Sequence, residues 1–164
     1  MQIGTVLRDL FQHMEWADAE VWSAIHRLGA DDKRLRDLLN HLHMTQRSFF
    51  DVWSGKGFDR GFLKERTLAE AEEMGRAYHR DASEFIAKLD EASLDQPLIL
   101  PWAERFAKGA SATTLGDTML QITSHSTYHR GQTNMRIREL GGDPPLVDFI
   151  AWLWLGRPRA EWSA

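Results

Sequence analysis

The segment Ile122-Thr123-Ser124-His125-Ser126-Thr127-Tyr128-His129-Arg130-Gly131-Gln132 sets two imidazoles four residues apart. On a helix that spacing stacks them on one face. Thr118, Ile122, His125 and His129 follow steps of four, three and four, which predicts that this stripe turns toward the interior of a bundle. Imidazoles there cost free energy unless each finds a partner, and neutral ring nitrogens converging on a divalent cation are one solution. The plainer alternative gives one ring a hydrogen bond to a neighbouring helix and leaves the other in solvent at a bundle end. A third imidazole is available from Asn40-His41-Leu42-His43-Met44. His41 shares a face with Leu38, Thr45 and Ser48, and His43 with Leu39, Gln46 and Phe50, so periodicity admits either. Three His ligands leave the fourth position of a zinc ion open, as in catalytic rather than structural sites.

Around this set, Gln132 follows His129 by three residues and is expected to support it or line the pocket. Arg130 points another way and is expected to tie helices or subunits together. Trp16, in Trp16-Ala17-Asp18, is a candidate pocket wall, and the remaining Trp residues are read as core. His13, His26 and His79 sit singly among polar neighbours and are expected at the surface.

Other chemistries fail. The 164 residues contain no Cys, which removes disulfides, iron–sulfur clusters, thiolate zinc sites and a Cys nucleophile. There is no His-Glu-x-x-His, Gly-x-Ser-x-Gly, Walker loop or Gly-x-Gly-x-x-Gly, and no Glu has a His three residues on, as di-iron bundles require. A net charge of −4, from 20 Lys and Arg against 24 Asp and Glu, argues against a polyanion binder, so no nucleic-acid partner is expected. Asp9 interrupts the N-terminal apolar stretch too early for a signal peptide, and no run of about 18 apolar residues exists to cross a membrane. A soluble cytoplasmic protein is expected.

The elements that must position these residues are helical. The length fits one domain over residues 1–164. All five prolines lie at Pro97 or beyond, so the first 96 residues admit long helices. Leu7, Leu10, Phe11, Met14, Ala17, Val21, Ala24, Ile25 and Leu28 trace one face of a first helix, which Gly29 stops. A second, capped by Asp31 or Asp32, runs to Gly55. Residues 55–66 read as a crossover loop. Thr67, with Glu70 three residues on, opens a third helix. Residues 93–113 lose the helical period, and Pro97 to Trp102 reads as an extended stretch flanked by prolines, a short hairpin or an ordered loop. Thr113 or Thr114 opens a fourth long helix that Gly141-Gly142 closes, and Leu146 to Leu155 is expected to fold back on the body. An all-α, four-helix bundle follows, with a long crossover between helices two and three and a short C-terminal helix.

His125-Ser-Thr-Tyr-His-Arg-Gly-Gln132 closely resembles the helix-four signature of the DinB-like, or YfiT-like, metalloenzyme family. Glu15-Trp16-Ala17-Asp18, Leu39-Asn40-His41 followed by Phe49-Phe50 and Trp53-Ser54-Gly55, Gly141-Gly142-Asp143-Pro144-Pro145 and Asp148-Phe149-Ile150 agree in matching order. The resemblance implies the same bundle, often a homodimer, with His41, His125 and His129 holding zinc or nickel. It also implies a small-molecule substrate and an external low-molecular-weight thiol. Relatives include S-transferases using bacillithiol, mycothiol or glutathione, and a mycothiol-dependent maleylpyruvate isomerase. Metal-dependent hydrolysis and a non-catalytic, stress-related binding role are the competing expectations. The C-terminal Trp152, Trp154 and Trp162 are candidates for a dimer face.

Overall fold

A computed structural model describes residues 3–57 and 64–162. Four long helices dominate it: α1 (Ile3–Leu28), α2 (Lys33–Trp53), α3 (Leu68–Ala87) and α5 (Leu115–Glu139). Between α3 and α5 lie a 3-10 turn (Glu91–Asp95), a two-residue strand β1 (Pro97–Leu98), a single helical turn α4 (Ala103–Phe106) and a second strand β2 (Thr113–Thr114). The strands pair antiparallel, with Pro97 opposite Thr114 and Leu98 opposite Thr113. A short helix α6 (Phe149–Trp154) follows α5. Of the stretch Pro97 to Trp102, only Pro97–Leu98 is strand, and its partner is Thr113–Thr114 rather than a neighbour within the stretch; α4 lies between the two strands.

Local sequence explains the helix ends. The Asp32 side chain accepts from the Leu35 amide at 2.9 Å and starts α2. Thr67 with Glu70, and Thr114 with Asp117, form reciprocal capping boxes at α3 and α5. Gly29, at φ +63°, takes the left-handed conformation that ends α1, its amide reaching Ile25 O at 3.1 Å.

Pairings between helices fix their directions. Asp18 and Trp22 of α1 meet Gln46 and His43 of α2 in reverse order, so these two run antiparallel. Trp53 meets Thr118 and Asp32 meets Arg136, which makes α2 and α5 antiparallel as well. Arg47 of α2 reaches Asp81 of α3, and His43 abuts Gly75, so α2 and α3 run parallel. Parallel neighbours need a connection that returns along the whole helix, about 31 Å for the 21 residues of α2 at 1.5 Å each. The crossover expected at 55–66 has this role. Its residues 58–63 lie outside the described set.

The core forms around Leu7, Phe11, Met14, Phe50, Tyr78, Met119 and Ile122, with a second cluster of Trp22, Ile25, Leu35, Leu39 and Ile137. Of the aromatic C-terminal residues, Trp152 is buried against Trp16, and Trp162 packs on the second cluster, whereas Trp154 is exposed. Two of the three candidates for a dimer face therefore pack on the chain's own bundle.

Between the apolar clusters runs a buried polar network joining all four long helices. Arg130 Nη1 donates to Asp18 Oδ1 at 2.9 Å. His79 Nε2 and Gln46 Nε2 each meet Asp18 Oδ2 at 2.8 Å. Gln46 Nε2 also donates to Ser126 Oγ at 3.1 Å, and its Oε1 lies 2.8 Å from His43 Nδ1. Trp22 Nε1 donates to His43 Nε2 at 2.9 Å. That bond makes Nε2 the acceptor, so His43 carries its proton on Nδ1 and is neutral. Burial lowers its pKa in the same sense.

The network requires a close approach at Gly75. A methyl group there would sit 2.6 Å from His43 Cε1, and the ring is held on both nitrogens. Gly75→Ala is therefore expected to lower unfolding free energy by about 1–3 kcal/mol through overpacking, although Ala ordinarily favours a helix by about 1 kcal/mol. Urea denaturation checks the sign, and a stabilised variant would show that α3 can retreat from α2 without cost.

Candidate metal centre

The site lies between α2 and α5, and two anchors set the register there. At one end Arg136 grips the Asp32 carboxylate with bonds of 2.6 and 2.9 Å. The Arg136 hydrogen bonds and the Leu35 amide pull the Asp32 pKa down to about 2. At the other end Trp53 Nε1 donates to Thr118 Oγ1 at 2.9 Å. His41 of α2 and His125 and His129 of α5 face each other between these anchors.

One ligand atom from each of the three rings lies within 4.8 Å of the other two. The Nε2 atoms of His41 and His125 are 3.3 Å apart. Ring centroids are separated by 4.5 Å for His41–His129, 4.3 Å for His125–His129 and 5.2 Å for His41–His125. A tetrahedral ion with bonds of about 2.0–2.1 Å to nitrogen separates its ligand atoms by about 3.3–3.4 Å, so the closest pair already stands at that edge length. Two of the donors, His41 and His125, are held toward the neutral form. Burial, then the neighbouring imidazoles His129 and His41, lower His125 to about 4. Burial and His129 lower His41 in the same direction. His129 Nδ1 lies 2.7 Å from Gln132 Oε1, which can only accept, so this nitrogen carries a proton and, in the neutral ring, Nε2 is the ligand atom. Gln132 Nε2 donates in turn to the Tyr128 hydroxyl at 3.2 Å. His125 Nδ1 is buried and has no hydrogen-bond partner among the described residues. The triad could hold a divalent metal ion, and among the described residues no carboxylate joins the cluster.

Several sequence expectations need correction. His125 and His129 do not lie on the innermost stripe. The buried face of α5 is Leu115, Thr118, Met119, Ile122, Thr123, Ser126, Arg130, Thr133 and Ile137. The two imidazoles flank it, half-buried, and His41 is exposed, so the triad opens to solvent. His43 stands in the core with both ring nitrogens engaged. Of the two His in α2, only His41 joins the pair on α5. His13 and His79 are buried rather than at the surface. His13 Nε2 lies 2.8 Å from Val147 O and His79 is bound to Asp18, so each buried ring has the partner that makes burial tolerable. His26 is exposed beside Glu72, as expected. Trp16 packs with Ala17 and Trp152, and none of its ring contacts involves the triad. Arg130 turns away from the site and ties α5 to α1, as its position predicts.

Sequence reasoning did not find the network centred on Asp18. Its one visible sign is an acid a single residue off the apolar stripe of α1, in a helix whose other acids are not fully buried.

The model of the DinB family matches residues 1–161 of the chain. The chain belongs to the DinB family. It is 24% identical over 162 residues to Protein DinB of Bacillus subtilis (strain 168), an alignment covering 89% of this chain and 92% of the relative. No solved structure matches. No helix among the described residues is long and apolar enough to cross a membrane. The family match spans the four-helix bundle and includes all three imidazoles of the triad.

Proposed function

We propose that this DinB-family protein is a metal-dependent enzyme that transfers a low-molecular-weight thiol to a small electrophile, with His41, His125 and His129 holding zinc or nickel. The carrying observation is a cluster of three imidazoles between α2 and α5, open to solvent and, among the described residues, without a carboxylate. Three neutral donors leave the ion its full positive charge and an open coordination position. When bound, such an ion supplies Lewis acidity that lowers the pKa of a thiol placed in that position. The chain has no Cys, so the thiol comes from solution.

The protein's own part is positional. Gln132 fixes the tautomer of His129, and the depressed pKa values of His41 and His125 keep protons from competing for the ligand nitrogens. In the transfer, the thiol loses its proton to solvent, a sulfur–carbon bond forms and the electrophile's leaving group departs. Hydrolysis, the rival reading, wants a carboxylate as general base, and among the described residues none joins the three imidazoles in the cluster.

Metal-edge absorption spectroscopy on zinc-loaded protein with bacillithiol, mycothiol and glutathione tests this. One thiol is expected to add a single sulfur scatterer at about 2.3 Å. A shell of only nitrogen and oxygen with all three thiols overturns the proposal. Ester or amide turnover lost on His129→Ala would then favour hydrolysis, and no turnover at all the non-catalytic role.

A further inference from the structure

His79 is engaged by one nitrogen only. Its Nε2 meets Asp18 Oδ2 at 2.8 Å, and the two side chains are 2% and 0% exposed. Arg130 and Gln46 hold the same carboxylate, so Asp18 cannot turn away without breaking the network. Its pKa reflects this: burial would raise it, but the Arg130 charge and the His79 hydrogen bond hold it well below the usual carboxylate range. An ionised Asp18 can only accept, which puts a proton on His79 Nε2 and, in the neutral ring, leaves Nδ1 as an acceptor. The hydrogen bond seen for this ring among the described residues is at Nε2, and Nδ1 is not one of the solvent-sealed unpartnered atoms.

The ring lines a cavity of about 150 Å³ between α1 and α3. Phe11, Ala82 and Ile86 supply apolar wall, all nearly buried. Trp162, from the C-terminal segment, stands over the same place. Its indole centroid is 5.7 Å from the His79 ring, and its Nε1 donates to Glu15 Oε1, another lining residue, at 3.5 Å. The cavity opens to solvent at a rim that includes Arg8, Gln12, Glu15 and Ser83, and its volume is about that which takes up a six-membered aromatic ring. Here the ring would also meet a fixed acceptor.

We infer that the α1–α3 cavity is a binding site for a small phenol, its ring against Phe11, Ala82 and Ile86 and its hydroxyl donating to His79 Nδ1. The arrangement discriminates by chemistry as well as size. An apolar ring of the same shape leaves the imidazole nitrogen unpaired, whereas the phenolic O–H satisfies it. The site is separate from the imidazole triad, since His79 belongs to α3 and the triad to α2 and α5.

The experiment is a titration of the full chain with phenol and with toluene at pH 8, with and without added zinc. It is followed by long-range proton–nitrogen NMR of the histidine rings and by intermolecular contacts to the Ile86 methyls. Phenol is expected to shift the His79 Nδ1 resonance saturably, to give contacts to Ile86, and to bind about tenfold or more tightly than toluene, the factor one net hydrogen bond supplies. The shift should be the same with and without zinc. No saturable shift at His79, no contact to Ile86, toluene binding as tightly as phenol, or a response confined to His125 and His129 would each overturn the assignment.

Discussion

Asp18→Ala is expected to cost about 3–5 kcal/mol of unfolding free energy, the range for removing one partner of a buried ion pair. The substitution strands Arg130, which is 2% exposed and would keep only its 3.1 Å bond to Thr127 Oγ1. It also removes the acceptor for His79 and one of two acceptors for the Gln46 amide. The cost is large because the charge left behind is 2% exposed and has lost its counter-ion. Urea unfolding measures it. A variant within 1 kcal/mol of the parent would show that Arg130 finds solvent by a small rearrangement.

The pH dependence has a definite sign. The folded-state pKa of Asp18 is depressed, so the native state binds fewer protons than the unfolded chain in acid. Its contribution is complete above the unfolded value of about 3.9 and is lost as pH falls toward the folded value. The gap between parent and Asp18→Ala should therefore be constant from pH 8 to about 5 and narrow below about 4. Adding Arg130→Met to Asp18→Ala should recover part of the loss, because the double variant buries no unpaired charge.

The long helices were legible because their stop and start signals are local. Gly29, Asp32, Thr67 with Glu70, and Thr114 with Asp117 all act within one turn of where they stand. The bundle with its crossover followed from those limits and from the family resemblance. The orientation of α5 was harder to read. Its buried face carries Thr118, Thr123, Ser126, Arg130 and Thr133 beside Met119, Ile122 and Ile137, so polarity does not mark the inside. Rotating the inferred stripe toward His125 and His129 was the natural error, since Ile122 borders both faces. The partners of Arg130, Ser126 and Thr118 come from α1 and α2, and no spacing within α5 announces them. The same reason hid His13 and His79. A buried imidazole and a surface one look alike until the acceptor, here Val147 O or Asp18, is known. His41 and His43 could not be separated by periodicity, because both faces of α2 include apolar and polar neighbours. Trp22 and Gln46 settle it by occupying both nitrogens of His43.

Single His41→Ala, His125→Ala and His129→Ala variants are expected to lose metal while keeping the fold. The parent should bind one equivalent of zinc or nickel, measured by elemental analysis after dialysis, and each variant should bind more than 100-fold more weakly. Removing an outer hydrogen-bond partner of a ligand costs about 10–100-fold, and removing the ligand itself costs more. Gln132→Leu, which deletes the acceptor for His129 Nδ1, should fall within that smaller range. The fold should survive because the triad sits at the rim: His41 is exposed and the other two are half-buried, unlike His43 and His79. Added zinc should therefore raise the melting temperature of the parent and leave the three variants unmoved. Acid enters through the ligands. The His125 pKa is lowered to about 4 from an ordinary 6.5, so in the metal-free protein the folded state binds fewer protons than the unfolded chain between those values. His125 accordingly destabilises the metal-free fold as pH falls through that window, and His125→Ala should remove this part of the acid sensitivity. Equal metal content in the parent and in His129→Ala would mean that the three converging imidazoles are not a metal site.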